Sequence, residues 1–302
     1  MAADPEPARP EEWAEAFRLL FRHLADEDRA RRVADALALI ERGELNPDGV
    51  FVLRAAGELA GVLTCLPLPG ALALVWPPQC RADIEQKVNE DRLLQHALRW
   101  LHGQGIKLTQ TLFAPDDVIG AEALERNGFV HLTHLWFLRH SLDVPTHCLA
   151  TPARLEFVTS ADDRTRFAET MVRSYELTLD CPEINDVRSA EEILAGHRSQ
   201  GVHDPGRWWL ATHAGRPVGV LLATLMPETG EWDVEYVGIV PAERRRGFGR
   251  ELMLKVLFEA RAANAPSVTL SVDGRNDPAW NLYRALGFEA FDRREVYLAI
   301  RR

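Results

Sequence analysis

Hydrophobic positions in the second half of the chain predict a series of β-strands. Several segments are continuously apolar or have the period of two that is typical of half-buried strands. The first two are joined by Ala214-Gly215, a dipeptide typical of a tight turn, which predicts a hairpin. The predicted strands are 208–213, 218–225, 232–240, 267–272 and 295–300.

Other segments of this half have the spacing of helices. Apolar residues recur on one face of 249–263, as in an amphipathic helix. Asp277 before Pro278 is a favourable helix start, and Gly287 is a favourable helix end. The predicted helices are 161–179, 191–201, 249–263 and 277–287. The order is therefore helices, hairpin, strand, helix, strand, helix, strand.

The first half repeats short features of the second. AGELAGVL at 56–63 aligns with AGRPVGVL at 214–221, and Gly128-Phe129 aligns with Gly287-Phe288. The two offsets, 158 and 159 residues, are nearly equal, which indicates two copies of one fold. Chance agreement is the alternative, because both dipeptides are common in turns and helix ends. The predicted bounds are 1–140 for the first domain, 141–153 for a linker with two prolines, and 154–302 for the second domain.

Composition narrows the class of protein. The chain has 302 residues, of which 46% are hydrophobic and 26% charged, so about two globular domains are expected. The net charge of −10 disfavours nucleic acid or an anionic membrane as a partner. No apolar run reaches the roughly 18–20 residues that span a bilayer, and the N-terminal residues lack a signal-peptide pattern. We therefore expect a cytoplasmic protein. Neither the four cysteines nor the ten histidines have metal-ligand spacing, so no metal is expected.

The segment VPAERRRGFGREL, residues 240–252, concentrates positive charge in this acidic chain. It joins the predicted strand 232–240 to the predicted helix 249–263. Unpaired N–H groups and the helix dipole favour anions at a helix start, and glycines permit close approach and positive φ. This chemistry suits a pyrophosphate. The alternatives are a solvated charge cluster and a nucleic-acid patch, and the absence of interleaved aromatic residues disfavours the latter.

Two motifs resemble those of the GNAT (Gcn5-related) N-acetyltransferases. Val240-Pro241 followed by Arg244-x-x-Gly247-x-Gly249 resembles the first. The second resembles the family's Asn-x-x-Ala-x-x-Leu-Tyr…Gly-Phe signature, here Asn276, Ala279, Leu282, Tyr283, Gly287 and Phe288. The resemblance covers residues 155–302 and extends weakly to the first half. The arrangement of two domains in tandem is similar to that of mycothiol synthase, and this likeness says nothing about the acceptor. The implied fold is α/β (α+β), with two tandem GNAT-like domains, each a mixed, mostly antiparallel central sheet flanked by helices.

The resemblance implies an N-acetyltransferase that passes acetyl directly from acetyl-CoA, its cosubstrate, to an amine. Tyr283 would lie beside the thioester and protonate the leaving thiolate, and Asn276 would lie near the cofactor. The backbone of Val237, Gly238 and Ile239 would pair with the pantetheine arm. The backbone of Arg244, Arg245, Arg246, Gly247, Phe248, Gly249 and Arg250 would hold the pyrophosphate. A CoA-binding sensor or interaction module without turnover is the alternative function.

The base and the acceptor remain open at this point. Asp233 and Glu235 are two residues apart on a predicted strand, so they face the same side, and either could accept the amine proton directly or through water. Release of the proton to bulk water is the alternative. A polar, acidic segment could form the edge of an acceptor site for a cationic small-molecule or peptide amine. Its residues are Tyr175, Asp180, Cys181 and Glu183. The alternative is an ordinary loop without a role in binding. The chain is expected to be a monomer or a dimer.

The corresponding loop of the first half, residues 75–86, has lost the glycines. It has Arg81-Ala82-Asp83-Ile84 where the phosphate cradle would be, and the carboxylates of Asp83 and Glu85 would repel a pyrophosphate. The position that matches Tyr283 is about Leu124, which has no proton to donate. We therefore predict that the first domain keeps the fold but does not bind acetyl-CoA in the usual way.

Overall fold

The chain folds into two compact units. The computed structural model describes residues 4–82, 85–115, 118–143 and 154–301. Unit 1 comprises Met1–Leu132 together with Glu295–Arg302, and unit 2 comprises Thr133–Arg294. Each unit contains its own series of paired strands and its own apolar core.

Unit 1 contains a sheet with the strand order β1-β2-β3-β4-β5-β12. Its neighbouring strands are antiparallel except for β4 and β5, which are parallel. The elements that begin in this unit are β1 (Glu6–Pro7), α1 (Trp13–Leu20), α2 (Asp26–Glu41), β2 (Val50–Ala55), β3 (Glu58–Leu68), β4 (Leu72–Cys80), α3 (Gln86–Gly103), β5 (Leu108–Phe113), α4 (Ala121–Arg126) and β6 (Val130–Ser141).

Unit 2 contains paired strands in the order β6-β11-β10-β9-β8-β7. Only the pair β10 and β11 is parallel. The further elements are β7 (Glu156–Thr159), α5 (Arg164–Tyr175), α6 (Ala190–Arg198), β8 (Trp208–His213), β9 (Arg216–Leu225), β10 (Trp232–Ile239), α7 (Phe248–Ala262), β11 (Ser267–Asp273), α8 (Asp277–Ala285) and β12 (Glu289–Ile300). The predicted fold class, a mixed and mostly antiparallel sheet flanked by helices, is confirmed.

Alternating side chains of unit 2 enter two cores. In β9, Leu221 and Ala223 join the cluster that contains α7, whereas Val220 and Leu222 join the cluster that contains α5 and α6. This period of two is what the sequence pattern indicated. The predicted helix 161–179 is shorter than expected. It begins at Arg164 because the carboxylate of Asp163 accepts a hydrogen bond from the N–H of Arg166.

The repeated sequence features have the same conformation in both units. The hairpin turns Ala56-Gly57 and Ala214-Gly215 both have positive φ, at 52° and 85° in the first and 49° and 74° in the second. The parallel ladders are equally short, with Leu72–Leu74 paired to Leu108–Gln110 and Trp232–Val234 paired to Val268–Leu270. The repeat is therefore structural, and chance agreement does not explain it.

The compact units have other bounds than the predicted domains. Residues 135–141 of β6 pair with β11, and residues 295–300 of β12 pair with β5. Residues 133–140 thus belong to unit 2, and 295–302 belong to unit 1. Sequence pattern identifies a strand but not its pairing partner, which explains the difference. Of the predicted linker, Ser141 ends β6, and residues 144–153 lie outside the described residues. No described helix combines the length and apolar character needed to cross a membrane.

Candidate active site

Strand β10 has an open side where it leaves β11. The parallel ladder covers only Trp232–Val234, while β10 stays paired with β9 as far as Ile239. A register shift between Val234 and Tyr236 marks a β-bulge at this point. The β11 side of residues 235–239 therefore has no strand partner within the described chain. Val237, Gly238 and Ile239 lie in this segment, as backbone pairing with an extended ligand requires.

The loop after β10 presents consecutive free amides. Gly247 is the N-cap of α7 with φ of 83°, and Arg245 also has positive φ, at 63°. In the described chain the backbone N–H groups of residues 245–249 have no hydrogen-bond acceptor, whereas those of Arg250 and Glu251 donate to the Gly247 carbonyl. Successive N–H groups in such a turn, at a helix start, form an anion-binding concavity.

The side chain of Arg244 does not point into this concavity. Its guanidinium donates to the carbonyl oxygens of Ile239, Ser174, Glu176 and Leu177, at 2.6 to 3.0 Å. These bonds connect the loop to the end of α5. The predicted pyrophosphate contact of this residue can therefore involve only its backbone.

Two further arginines shape the loop. Arg246 forms an ion pair with Glu243 and lies over the ring of Phe248, 4.9 Å from its centroid. Arg154, which the sequence did not single out, donates to the Arg246 carbonyl at 2.9 Å and to the buried carboxylate of Glu251 at 2.7 Å. Arg154 lies about ninety residues before these partners in the sequence, so no local pattern predicted the contacts.

Helix α8 carries Tyr283 and begins after Asn276. The Asn276 side chain accepts a hydrogen bond from the N–H of Ala279 at 3.3 Å, which is the role of a helix cap. Tyr283 is 6% exposed, and its hydroxyl has no hydrogen-bond partner in the part of the chain that the structure describes. Burial raises the pKa of Tyr283, with smaller contributions from Asp180 and Tyr236, so the hydroxyl is protonated at neutral pH.

The two candidate bases have different surroundings. Asp233 lies in the paired part of β10 and accepts a hydrogen bond from the hydroxyl of Thr269. Glu235 lies at the bulge, where its carboxylate is 3.8 Å from Nδ1 of His197. Burial raises the pKa of both carboxyls, which favours proton uptake at higher pH than usual. The bulge interrupts the strict alternation from which the same-side prediction was made.

Aromatic residues border Glu235 on the side of α5 and α6. The ring of Tyr175 stacks on that of Tyr236 with centroids 4.6 Å apart, and its hydroxyl is 3.3 Å from Nε2 of His197. The Tyr236 hydroxyl is 2.9 Å from that of Ser174. Sequence analysis identified Tyr175 but missed Tyr236 and His197. His197 is 38 residues from Glu235 along the chain, and no spacing rule relates them.

The rest of the predicted acceptor lip is tied to the end of β11. Arg275 forms two hydrogen bonds with Glu183, at 2.6 and 3.0 Å, and others with the fully buried Asp273. Asp273 also accepts from the N–H of Cys181 at 3.0 Å. Glu183 thus forms an ion pair with Arg275, and its role toward the acceptor stays a prediction. Sequence analysis did not identify Arg275.

Asp180 and Cys181 remain beside the candidate site. Desolvation and the neighbouring Asp273 carboxylate raise the pKa of Asp180 to about 6. Burial raises the pKa of the Cys181 thiol, so it is not an activated nucleophile. Ligand atoms of Asp180, Cys181 and Asp273 lie within 4.8 Å of one another. Since Arg275 already neutralises Asp273, this cluster needs no ion to explain it.

The matching region of unit 1 lacks the same groups. Helix α3 begins at Gln86 with Glu85 as its N-cap, and Asp83 and Ile84 lie outside the described residues. Arg81 is paired with Glu58. Leu124 is fully buried in α4. This region therefore offers neither the paired glycines nor a hydroxyl.

Comparison with known proteins agrees with this geometry. The sequence profile described as Acetyltransferase (GNAT) family matches residues 171–288. The matched segment, residues 171–288, is similar to the GNAT acetyltransferase family. The chain is 27% identical to the mycothiol acetyltransferase of Nocardia farcinica over 304 residues, which cover 92% of this chain and 91% of the relative. It is 36% identical to that of Thermomonospora curvata over 101 residues, but the alignment spans only 33% of each chain.

Solved structures agree with the fold. A GCN5-related N-acetyltransferase from Sphaerobacter thermophilus matches with a TM-score of 0.61 and 18% identity, covering 98% of this chain and 95% of that one. A tandem GNAT protein from the clavulanic acid biosynthesis pathway matches with a TM-score of 0.52 and 18% identity, covering 98% and 97%. At this identity the likeness establishes the tandem fold alone. The predicted resemblance to GNAT proteins and the predicted architecture are confirmed.

Proposed function

We propose that unit 2 is an acetyl-CoA-dependent N-acetyltransferase that passes acetyl directly to the amine of a small molecule or peptide. Similarity to an acetyltransferase family supports acetyl transfer as the reaction class. The cosubstrate, the acceptor and the site residues belong to this proposal. So does the prediction that unit 1 does not bind acetyl-CoA in the usual way.

The observation that carries the proposal is the run of free amides at residues 245–249. These N–H groups are grouped in one turn at the start of α7, as diphosphate binding requires. The open side of β10 at Val237–Ile239 precedes them along the chain, and it offers pairing to an amide-containing arm. A nucleotide with a pantetheine arm supplies both partners.

The first chemical step removes a proton from the acceptor ammonium. A neutral amine nitrogen then attacks the thioester carbonyl carbon and forms the new C–N bond. We infer that Glu235 is the base, because it lies beyond the end of the parallel ladder and has no hydroxyl partner, whereas Asp233 lies inside the ladder and is held by Thr269. Burial raises the pKa of Glu235, which makes it a better proton acceptor than an ordinary carboxylate.

The second step breaks the C–S bond. Electrons of the tetrahedral intermediate return to the carbonyl, the CoA thiolate departs, and the nitrogen loses its second proton to give the neutral amide. That proton returns to the phenolate that Tyr283 leaves after protonating the sulfur. Tyr283 donates its proton to the sulfur, since its hydroxyl is unpaired within the described chain and stays protonated at neutral pH. Backbone N–H groups of β10 beside the thioester would stabilise negative charge on the oxygen.

The surroundings of Glu235 support a cationic acceptor. The carboxyls of Glu235, Asp233 and Asp180 all have raised pKa values, so an added positive charge would stabilise their ionised forms. The name of the two relatives makes a mycothiol-type amine one member of the acceptor set to be tested.

The test is a CoA-thiol release assay with acetyl-CoA against a panel of amines, run with the native protein and with Tyr283→Phe. We expect turnover with at least one amine. The variant should lose about 100-fold or more in turnover, the range of general acid catalysis, and keep its acetyl-CoA affinity by calorimetry.

Tyr297→Phe is the matched control, because Tyr297 is a buried tyrosine of unit 1. It should leave turnover unchanged. Saturable CoA binding without thiol release across the panel would instead support a binding module. A chain that does not bind acetyl-CoA would contradict the proposal altogether.

A further inference from the structure

The guanidinium of Arg244 connects two segments that are distant in sequence. Helix α5 ends at Tyr175, and the last carbonyl groups of a helix have no partner within it. Arg244 donates to Ser174 O at 3.0 Å, Glu176 O at 2.6 Å and Leu177 O at 2.7 Å. Its Nε donates to Ile239 O at 3.0 Å, the last residue of β10. One side chain therefore caps the C-terminal end of α5 and connects it to the end of β10.

The segment 176–181 has little apolar packing to hold it. Leu177 is 80% exposed and has φ of 53°, and Leu179 is 51% exposed. Cys181 also has positive φ, at 44°. Left-handed conformations are unfavourable for residues other than glycine and persist where surrounding contacts hold them. Here the contacts are polar, with Arg244 at one end and Asp273 at the other, where it accepts from the N–H of Cys181.

Arg244 is also the residue immediately before the free amides 245–249. An anion bound by these amides would fix the backbone of the loop, and with it the origin of the Arg244 side chain. The guanidinium would then hold the carbonyls of residues 174–177 more persistently. We propose that Arg244 is a positioning residue that couples occupancy of the 245–249 loop to the order of segment 176–181, which carries the acceptor side of the site.

This inference rests on the proposed function, since it takes acetyl-CoA as the occupant of the loop. Arginine is suited to the role because its planar fork of five donors reaches several carbonyls at once, whereas a lysine ammonium offers a single point of attachment. Coupling between two binding sites is reciprocal. An acceptor that orders the segment would therefore tighten the binding of acetyl-CoA as well.

The experiment is hydrogen–deuterium exchange of the full chain with and without saturating acetyl-CoA, for the native protein, Arg244→Gln and Arg244→Lys. In the native protein we expect slower exchange in peptides of 244–250 and also about tenfold slower exchange in 176–181, within the usual range of coupling between sites. Arg244→Gln should keep the first effect and lose the second, and Arg244→Lys should retain part of it.

Arg246→Gln is the matched control, because Arg246 pairs with Glu243 and, within the described residues, does not contact the end of α5. It should keep the protection of 176–181 at saturating acetyl-CoA. Protection of 244–250 alone in the native protein, or unchanged protection of 176–181 in Arg244→Gln, would overturn the coupling and leave the proposed function intact. Calorimetry showing no acetyl-CoA binding would overturn both.

Discussion

The loops that follow β4 in unit 1 and β10 in unit 2 share one scaffold and differ in chemistry. Both strands form a parallel ladder of three residues and then lose it, and a helix follows each loop. The loop of unit 2 has positive φ at Arg245 and Gly247 and five free amides. In unit 1 the residue before α3 is Glu85, with φ of −97°.

The same contrast holds one helix further along. Tyr283 of α8 has an unpaired hydroxyl in the described chain, whereas Leu124 of α4 is 0% exposed and only packs. Packing preserves the architecture of both units, because apolar residues at the same positions fill both cores. The candidate chemistry depends on a few polar or glycine positions, which can be lost without loss of the fold.

The largest effect should come from removing the part of β12 that pairs with β5 in unit 1. A chain that stops after Arg294 loses the ladder with β5 and the buried side chains of Val296, Tyr297 and Leu298. At about 1.5–3 kcal/mol for each buried side chain, the loss approaches the whole stability of a domain. Unit 1 should unfold, and peptides of 108–113 should then show rapid hydrogen–deuterium exchange.

A chain that lacks only Arg302 is the control and should fold normally. If the chain that stops after Arg294 kept slow hydrogen exchange in 108–113, the last strand, β12, would not be needed for the stability of unit 1.

The second comparison substitutes one glycine of positive φ in each unit. Gly247 and Gly128 both have positive φ, at 83° and 88°. Alanine in this conformation costs about 1–2 kcal/mol. Gly247→Ala should weaken acetyl-CoA binding about tenfold, since the loop loses the turn that groups its amides. Gly128→Ala should lower thermal stability similarly and leave affinity unchanged. Equal affinities for both variants, measured by calorimetry, would contradict the assigned phosphate loop.

The third comparison concerns the buried carboxyl at the bulge. Burial raises the pKa of Glu235 above its ordinary value of 4.5, so the folded state disfavours the ionised form. Stability is therefore lost as pH rises from 4.5 through the raised pKa. Glu235→Gln should be more stable than the native protein at pH 7, and this gain should shrink as pH falls toward 4.5.

Turnover of Glu235→Gln should fall about 100-fold, with loss of the acidic limb of the pH–rate profile. Asp233→Asn is the control and should keep that limb. The opposite pattern would make Asp233 the base. Thermal unfolding from pH 4 to 8 and steady-state assays give the two measurements.

The smallest effect is expected at an ion pair. Arg275 lowers the pKa of Glu183, so the pair contributes stability above the ordinary carboxyl pKa, and this stability is lost as pH falls through the lowered value. Glu183→Gln should lower stability at pH 7 by less than about 1 kcal/mol in chemical denaturation. Glu58→Gln, which removes one of the two carboxylate partners of Arg81 in unit 1, should have a similarly small effect on stability. A much larger loss at Glu183 would indicate that the pair with Arg275 organises the acceptor segment.

Short-range patterns predicted most elements of unit 2. The strand 208–213 has the predicted bounds, and α7 differs from the predicted 249–263 by one residue at each end. Turn glycines were equally clear, because positive φ at Gly215 and Gly287 is a local requirement. The free amides at 245–249 follow from the same local signals.

Contacts distant in sequence could not be predicted in this way. No pattern indicates that Glu235 lies at a bulge beside His197, or that Arg275 holds Glu183 and Asp273 together. The family resemblance assigned the backbone of Arg244 to the pyrophosphate, but no pattern indicated the carbonyls that its side chain binds.

The sequence by itself determined the resemblance to GNAT proteins, the repeated fold and the glycine-rich loop that begins α7, because turn conformation and hydrophobic period are local properties of the chain. Only the tertiary structure decided which strands complete each sheet, which carboxyl lies beyond the parallel ladder, and where Arg244 directs its guanidinium. These depend on free energies of pairing and burial between segments far apart in the chain, and such energies leave no mark in the spacing of residues.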